Sequence, residues 1–521
     1  MPIAPAWFRI ACVGLGLVAG APAARAGGNV NAVLESEVVF LDPYGTTANI
    51  TRTFSFMVYD TLFSTDSAGV VHPQMVDRTT VSADKLTYSF TLRPGLKFHD
   101  GAKVTGEDVV ASLKRWEPKD ALGRMLAAAT ASMDASEDGF TIKLKEPFPL
   151  VLEVLGKPNS IVPFILPARL ANIAADAKVT EIVGSGPFIF RPDQWKPGDS
   201  MVLERNPGYV PRGEKPDFLS GGKVVKIDRL TLKVIPDVST AATALLNGEI
   251  DYLQYPAFEW LPKMQKDAKI KVMSLGGMDQ YQGNFRLNHA NPPFNDPAVR
   301  RVLWKLVDQT AMLQAAGIPP EFSVPNCASF WMCGTPLQSK AGTEVAGFNI
   351  EAAKEELKKT GYHGEKVVVM ELGNSPIQLN VSLVLVDAMR KAGFTVDEQT
   401  MDWGSLLQRR VKKDSWGLFA VWSNGVDMDN PLTHFYVAAN CSEFPGWSCE
   451  PALKPLVADF VKAETQADRK LVADKIQAMV YENTPSVMWG QFTEPSAYRT
   501  TLTGMIASSY PMFWEVDKTA K

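Results

Sequence analysis

The chain has 521 residues, more than one hydrophobic core usually serves, so two or three lobes are expected. With 46% hydrophobic and 21% charged residues, its composition is that of an ordinary globular protein. Lys and Arg number 53 against 57 Asp and Glu, giving a net charge of −4 with no clustered basic face, which argues against a nucleic-acid surface.

The N-terminus reads MPIAPAWFRIACVGLGLVAGAPAARAGG: a short start with Arg9, an apolar run over 10–20, and a small-residue tail ending Ala24-Arg25-Ala26. That layout predicts a secretory signal peptide over 1–26, cleaved after Ala26. A membrane span takes about 20 apolar residues, and this run is about half as long. Cys12 lies inside the run after Arg9-Ile10-Ala11, so no lipid attachment is expected there. Loss of Arg9 and Arg25 takes the mature charge from −4 to −6. No later stretch is apolar for long enough to span a bilayer, so a soluble, unanchored, periplasmic protein is expected.

Strands are predicted over 31–39 and, by alternation of Leu86, Tyr88, Phe90 and Leu92, over 84–93. Helical spacing of Ile50, Phe54, Met57, Val58 and Leu62 predicts a helix over 49–63. Thr105 followed by Asp108 reads as an N-cap with a capping box, opening a helix that buries Val109, Leu113 and Trp116. Strands follow over 140–144, 188–190 and 201–204. A strand over 230–235, a helix over 239–246 stopped at Asn247-Gly248, and a strand from Asp251 make a βαβ unit. A second set runs through strands 280–288, 366–371, 395–401 and 416–422. Its helices are 296–315, 378–392, 451–464 and 468–483. The result is two α/β halves.

Four cysteines remain after cleavage, as two local pairs, Cys327 with Cys333 and Cys441 with Cys449. In an oxidising compartment each pair is expected to form a disulfide, worth roughly 2–2.5 kcal/mol for loops this short. A zinc site from all four lacks the two-to-four-residue spacing of a zinc knuckle.

Leu41-Asp42-Pro43, Val58-Tyr59-Asp60-Thr61-Leu62 and the block SADKLTYSFTLRPGLKFHDGAKVTGEDVVASLKR over 82–115 come in a distinctive order. They are followed by Gly184 to Phe188, VLERNPGY over 202–209, IPDVSTAATALLNGEID over 235–251, and 287–308 with Pro292-Pro293-Phe294. Together these resemble the family 5 extracellular solute-binding proteins, the dipeptide/oligopeptide/nickel-binding group of ABC importers, over about the whole mature chain. The resemblance implies a periplasmic binding protein-like α/β fold: two α/β lobes joined by a two-strand hinge, plus an extra sub-domain. The first lobe would be 27–63, 184–276 and 487–521, the sub-domain 64–183, and the second lobe 277–486. Ligand would be enclosed as the lobes close. The partners implied are a small-molecule ligand, by family default a peptide, and an inner-membrane ABC permease. A monomer with no cofactor and no nucleic acid is expected.

Nothing in the sequence has catalytic context: HExxH, GxxxxGK[ST] and GxSxG are all missing. His72, His99, His289, His363 and His434 are scattered, and His99 is expected to pack the 97–101 turn. The carboxylates Asp427 and Asp429 suggest acid–base work, but by resemblance they lie in a loop beside the ligand. The chain is therefore expected not to be an enzyme.

Candidate ligand-binding residues follow the need for apolar walls with a few fixed polar groups. Trp403 and Trp422 offer stacking area. Gln282, Asn284 and Arg286, with Gln280, share one strand face, and Arg286 suits a ligand carboxylate. Tyr44, Thr46 and Thr47 follow a strand end that reaches toward the cleft. Peptide binders of the family hold the ligand's amino terminus with an aspartate shortly after the tryptophan matching Trp422. Here Asn424 and Gly425 stand there, and the first acid is Asp427. That departure leaves open a non-peptide solute (an opine, an oligosaccharide or another small organic molecule) or a chemosensory role. No metal site is expected: nickel usually wants imidazole, and no histidine lies in this wall.

Overall fold

The computed structural model describes Met1 and residues 28–519, except 175, 176, 180 and 374. The expected signal peptide therefore lies, but for Met1, outside the described residues.

Three sheets organise the α/β fold. A seven-stranded sheet has Asn29–Val33 near its middle, parallel to Arg229–Lys233 on one side and to Tyr252–Gln254 on the other. The helix Val238–Asn247 makes the crossover between those two neighbours. Asp237 caps it, accepting the Thr240 amide at 2.7 Å, and Gly248 ends it at φ 80°, a conformation that costs glycine nothing. Phe188–Phe190, Ser200–Arg205, Ser496–Arg499 and Ile270–Met273 complete the sheet.

In the six-stranded sheet Tyr281–Leu287 runs antiparallel to both Leu418–Asn424 and Ser486–Phe492. Lys366–Leu372, the helix Pro376–Ala392 and the parallel Thr395–Met401 make its βαβ unit. Gly283 faces Trp489, and a Cβ there would stand 2.1 Å from the indole. The ring lies across the strand in that gap and donates to the Val421 carbonyl at 3.1 Å. A four-stranded antiparallel sheet, Val76–Val81, Thr87–Leu92, Gly139–Leu144 and Thr130–Ser136, buries Tyr88, Phe90 and Leu92. The Phe90 and Phe140 rings stack at 4.6 Å against one another. The helix Gly106–Trp116 has the expected capping box: the Thr105 amide donates to the Asp108 carboxylate at 2.8 Å.

The chain crosses between the two large sheets twice, at 274–280 and at 493–495. Ser486–Phe492 is paired inside the six-stranded sheet, so the chain returns to the seven-stranded sheet after Phe492, whereas 487 was the expected point. Other bounds also differ. The first strand stops at Val33. The helix expected over 49–63 ends at Val58, because Asp60–Thr61 and Phe63–Thr65 pair as short strands. The helix expected over 296–315 breaks after Lys305 and restarts at Gln309, where Asp308 accepts the Ala311 amide at 3.0 Å and caps a new helix. Both cysteine pairs are bridged, Cys327 to Cys333 and Cys441 to Cys449. Among the described residues no helix is long and apolar enough to cross a membrane.

Candidate functional site

The strand Leu418–Asn424 ends at the seam between the halves, and the turn Gly425–Met428 follows it. Gly425 is required there: its amide donates to the Gln280 carbonyl at 2.7 Å, and a Cβ would meet the Met278 carbonyl oxygen at 2.7 Å. The turn faces 158–160, a segment of the part that carries the four-stranded sheet. Asn159 Nδ2 donates to the Val426 carbonyl at 2.8 Å, and the Ser160 amide donates to Asp427 at 3.0 Å. Arg52, from the helix Asn49–Val58, reaches Asp427 at 3.5 Å and donates to the Tyr510 hydroxyl at 2.6 Å. Burial opposes the guanidinium charge, but Tyr510 and Asp427 outweigh it and hold the Arg52 pKa above its ordinary value.

Beside this seam lies a cavity of about 430 Å³. One wall comes from 65–71, Leu122 and 150–159, the other from Pro336, Leu337, 426–433 and 460–469. Leu150, Val154, Leu337, Leu432 and Phe460, all buried, make much of the lining apolar. Four charged side chains line it: Glu153, Lys157, Asp429 and Arg469. Arg469 pairs with Glu153 at 3.0 Å across the two walls. Lys157 pairs with Asp120 at 2.5 Å in the interior, and burial lowers its pKa. Asp429 accepts a hydrogen bond from the Thr335 hydroxyl and meets no cationic side chain among the described residues. Burial pushes its carboxyl up to about 7, although part of its surface stays open to the cavity.

A second acidic group marks the crossings. Burial lifts Glu494, at 493–495, to about 7, and Glu35 adds to the rise. Glu35 is raised too, chiefly by burial, while its side chain stays exposed. Tyr281 donates to the Tyr255 hydroxyl at 2.6 Å in the same cluster.

The expected ligand residues are placed differently. Tyr44 is buried, its hydroxyl bonded to the Phe164 carbonyl and its ring under Arg115 at 5.2 Å, so it packs the interior. Thr46 accepts the Ala48 amide at 3.1 Å in a local turn, and Thr47 is exposed. Gln282, Asn284 and Arg286 lie under the segments that cover their face of the second sheet. Gln282 donates to the Phe330 carbonyl at 2.8 Å and Asn284 to Gln282. The Arg286 guanidinium sits 4.3 Å from the Phe444 ring centre, with Phe419 and Tyr436 beside it, and makes no ion pair among the described residues. Trp403 is exposed at the start of the helix Trp403–Arg409, and Trp422 packs edge-on to Phe492 at 6.0 Å. Asn424 crosses the seam to Asn49 at 3.1 Å, and Asp427 is engaged by Arg52. None of the ten lines the cavity.

Sequence reasoning missed Asn159 and Lys157, and named Asp429 only as one of a pair. Pattern gives no sign that 157–160 meets 426–429, because the contact spans 267 residues. His99, in contrast, packs its turn as expected: its ring bonds the Gly186 carbonyl at 3.1 Å, and burial lowers its pKa to about 4.

Residues 70–446 match a family model, that of the bacterial extracellular solute-binding proteins, family 5. The chain belongs to this family. It is 37% identical over 501 residues to the "Probable peptide ABC transporter periplasmic-binding protein y4tO" of Sinorhizobium fredii, covering 94% of this chain and 93% of that one. Two solved structures share the fold. The periplasmic binding protein AgaA of A. tumefaciens R10, in complex with agropinic acid, superposes with a TM-score of 0.77 at 20% identity over 95% of this chain and 99% of its own. DppA of Helicobacter pylori, in complex with the peptide STSA, gives 0.77 at 20% identity over the same shares. The family 5 assignment makes this a transport-associated solute-binding protein of the periplasmic binding protein fold.

Proposed function

We propose that this protein is the periplasmic receptor of an ABC importer, closing on a small peptide or peptide-like solute and delivering it to an inner-membrane permease. The observation that carries the reading is the 430 Å³ cavity at the seam, partly open to solvent and largely apolar with a few fixed polar groups. Its size suits a solute of a few residues. The relative from Sinorhizobium fredii, named for peptide transport, supports the peptide class. The reading includes a cleaved leader over 1–26, a monomeric mature protein without enzymatic activity, and three units. These are a first lobe of 27–63, 184–276 and the segment after Phe492, a sub-domain of 64–183, and a second lobe of 277–492.

A second reading, a non-peptide solute such as an opine, is favoured by the Arg52–Asp427 pair, which occupies the position expected for a peptide's amino terminus. Native mass spectrometry of the protein exported to a periplasm, then a thermal-shift screen of peptides, opines and oligosaccharides, separates the two. Co-purified or stabilising peptides support the first. Stabilisation by opines alone moves the assignment to the second, and a flat response to every class removes the receptor reading.

A further inference from the structure

Arg286 is a buried charge without an anion. It is 5% exposed, and its guanidinium rests among three rings, with the centres of Phe444 at 4.3 Å, Phe419 at 5.4 Å and Tyr436 at 5.7 Å. Ring faces offset part of the cost of burying a cation, but they offer no lone pairs to its five N–H donors. Among the described residues the Arg286 side chain makes no hydrogen bond and no ion pair, and its Nε is sealed without a partner. An interior charge left in that state is costly.

A second guanidinium shares the corner. Asn288, two residues beyond Arg286, donates to the Lys413 carbonyl at 2.7 Å and to the Trp416 carbonyl at 2.8 Å. Those bonds hold the 410–416 loop to the end of the Arg286 strand. The Trp416 indole donates to the Arg410 carbonyl at 3.1 Å, and its ring meets Phe419, one of the rings around Arg286, at 5.2 Å. Arg410 is half-buried, its side chain makes no hydrogen bond or ion pair among the described residues, and its Nε is sealed as well. Burial lowers its pKa and the charge of Arg286 lowers it further, with no acid acting the other way. Glu443, the acid of the neighbouring loop, pairs with Lys413 at 3.3 Å instead.

We propose that Arg286 and Arg410 together bind a small dianionic oxyanion, of the sulfate or hydrogen phosphate class, where the 410–416 and 439–448 segments meet. In both residues the Nη atoms lack a protein acceptor and are not closed off from water, so an anion can reach the tips of the two side chains. Each guanidinium presents a planar fork of N–H groups that matches neighbouring oxygens of an oxyanion. One dianion neutralises both charges, and a monocarboxylate neutralises only one. The site stands apart from the seam. Tyr281 pairs with Asn424 at the seam end of the strand, and Arg286 pairs with Phe419 near its other end. That separation is about 17 Å at the usual rise of an antiparallel strand, so the inference does not rest on the receptor reading.

The test titrates sodium sulfate, inorganic phosphate and sodium acetate calorimetrically into the full exported protein and into its Arg410→Gln and Arg286→Met variants. Ionic strength is held constant with chloride, because concentrated sulfate stabilises proteins in general by exclusion from their surfaces. Submillimolar binding of sulfate and phosphate is expected in the wild type, weakened at least about tenfold in each variant, with acetate weaker than either dianion by a similar factor. No heat beyond the chloride control overturns the inference. Sulfate and phosphate binding that keeps its strength in Arg410→Gln overturns it as well, and so does acetate binding as tightly as sulfate. A ring cage that serves the fold alone would show as a lower urea midpoint for Arg286→Met by the same amount in sulfate and in chloride. Circular dichroism checks that the variants fold. Arg410 is half-exposed, so Arg410→Gln decides by itself should Arg286→Met not fold.

Discussion

Asp427 and Asp429 stand two residues apart on one turn and meet opposite surroundings. The first takes the Ser160 amide and the Arg52 guanidinium, while the second takes the Thr335 hydroxyl and the Met332 backbone and keeps an open side toward the cavity. A carboxyl at about 7 in the folded chain and near 3.9 when unfolded holds an extra proton between those values. Folded stability therefore falls as pH rises from about 4 to 7 and levels off above. Asp429→Asn removes that loss. The ligand-free variant is expected to match the wild type at pH 4 and to exceed it by about 1–3 kcal/mol at pH 8, allowing for the carboxylate's partial access to solvent. Urea midpoints across this range check it, and parallel curves for the two proteins would refute the shift.

At the scale of the element, each strand or helix that carried its own punctuation was legible. Thr105 with Asp108, Asp237 with Gly248, and the alternation of Tyr88, Phe90 and Leu92 all act within a few residues, so pattern alone places them. Where a cap sits inside a longer apolar pattern, as Asp308 does, periodicity runs through a real break. The site was hardly legible. Gln282, Asn284 and Arg286 do share a strand face, but whether a face looks into a cleft or under another segment depends on what packs there. Asn159 meets Val426 only through tertiary folding. Gly283 is a case the sequence could not expose either, since its need for hydrogen is set by Trp489 across the sheet. Gly283→Ala is expected to push the indole off the strand, break its bond to the Val421 carbonyl, and cost about 1–3 kcal/mol by overpacking. Near-ultraviolet circular dichroism and denaturant midpoints report this. An unchanged tryptophan signal with wild-type stability would show that the sheet adjusts without strain.

At the scale of the molecule, two sheets joined by two short crossings cannot fix their own separation, so closure rests on what meets at the seam. Asn424 to Asn49, the 158–160 segment on the Val426–Asp427 turn, and Glu153 with Arg469 all contribute, though the half-exposed Glu153–Arg469 pair adds little. Arg52 with Asp427 is different, because both side chains are buried and Tyr510 ties the guanidinium onward to the Pro158 carbonyl. Removing one member leaves the other charged and uncompensated. Arg52→Met is therefore expected to cost about 3–5 kcal/mol if the seam stays shut, or to open the seam so that water reaches Asp427. Small-angle scattering distinguishes the two, since opening enlarges the ligand-free particle while a strained closed form keeps its size and loses stability. Arg52→Met combined with Asp427→Leu should recover most of that loss, because neither charge then remains buried. Recovery identifies the pair as a clasp between the halves. If the single variant keeps both the stability and the scattering profile of the wild type, closure is held elsewhere, and the turn against 158–160 becomes the contact that sets how the halves meet.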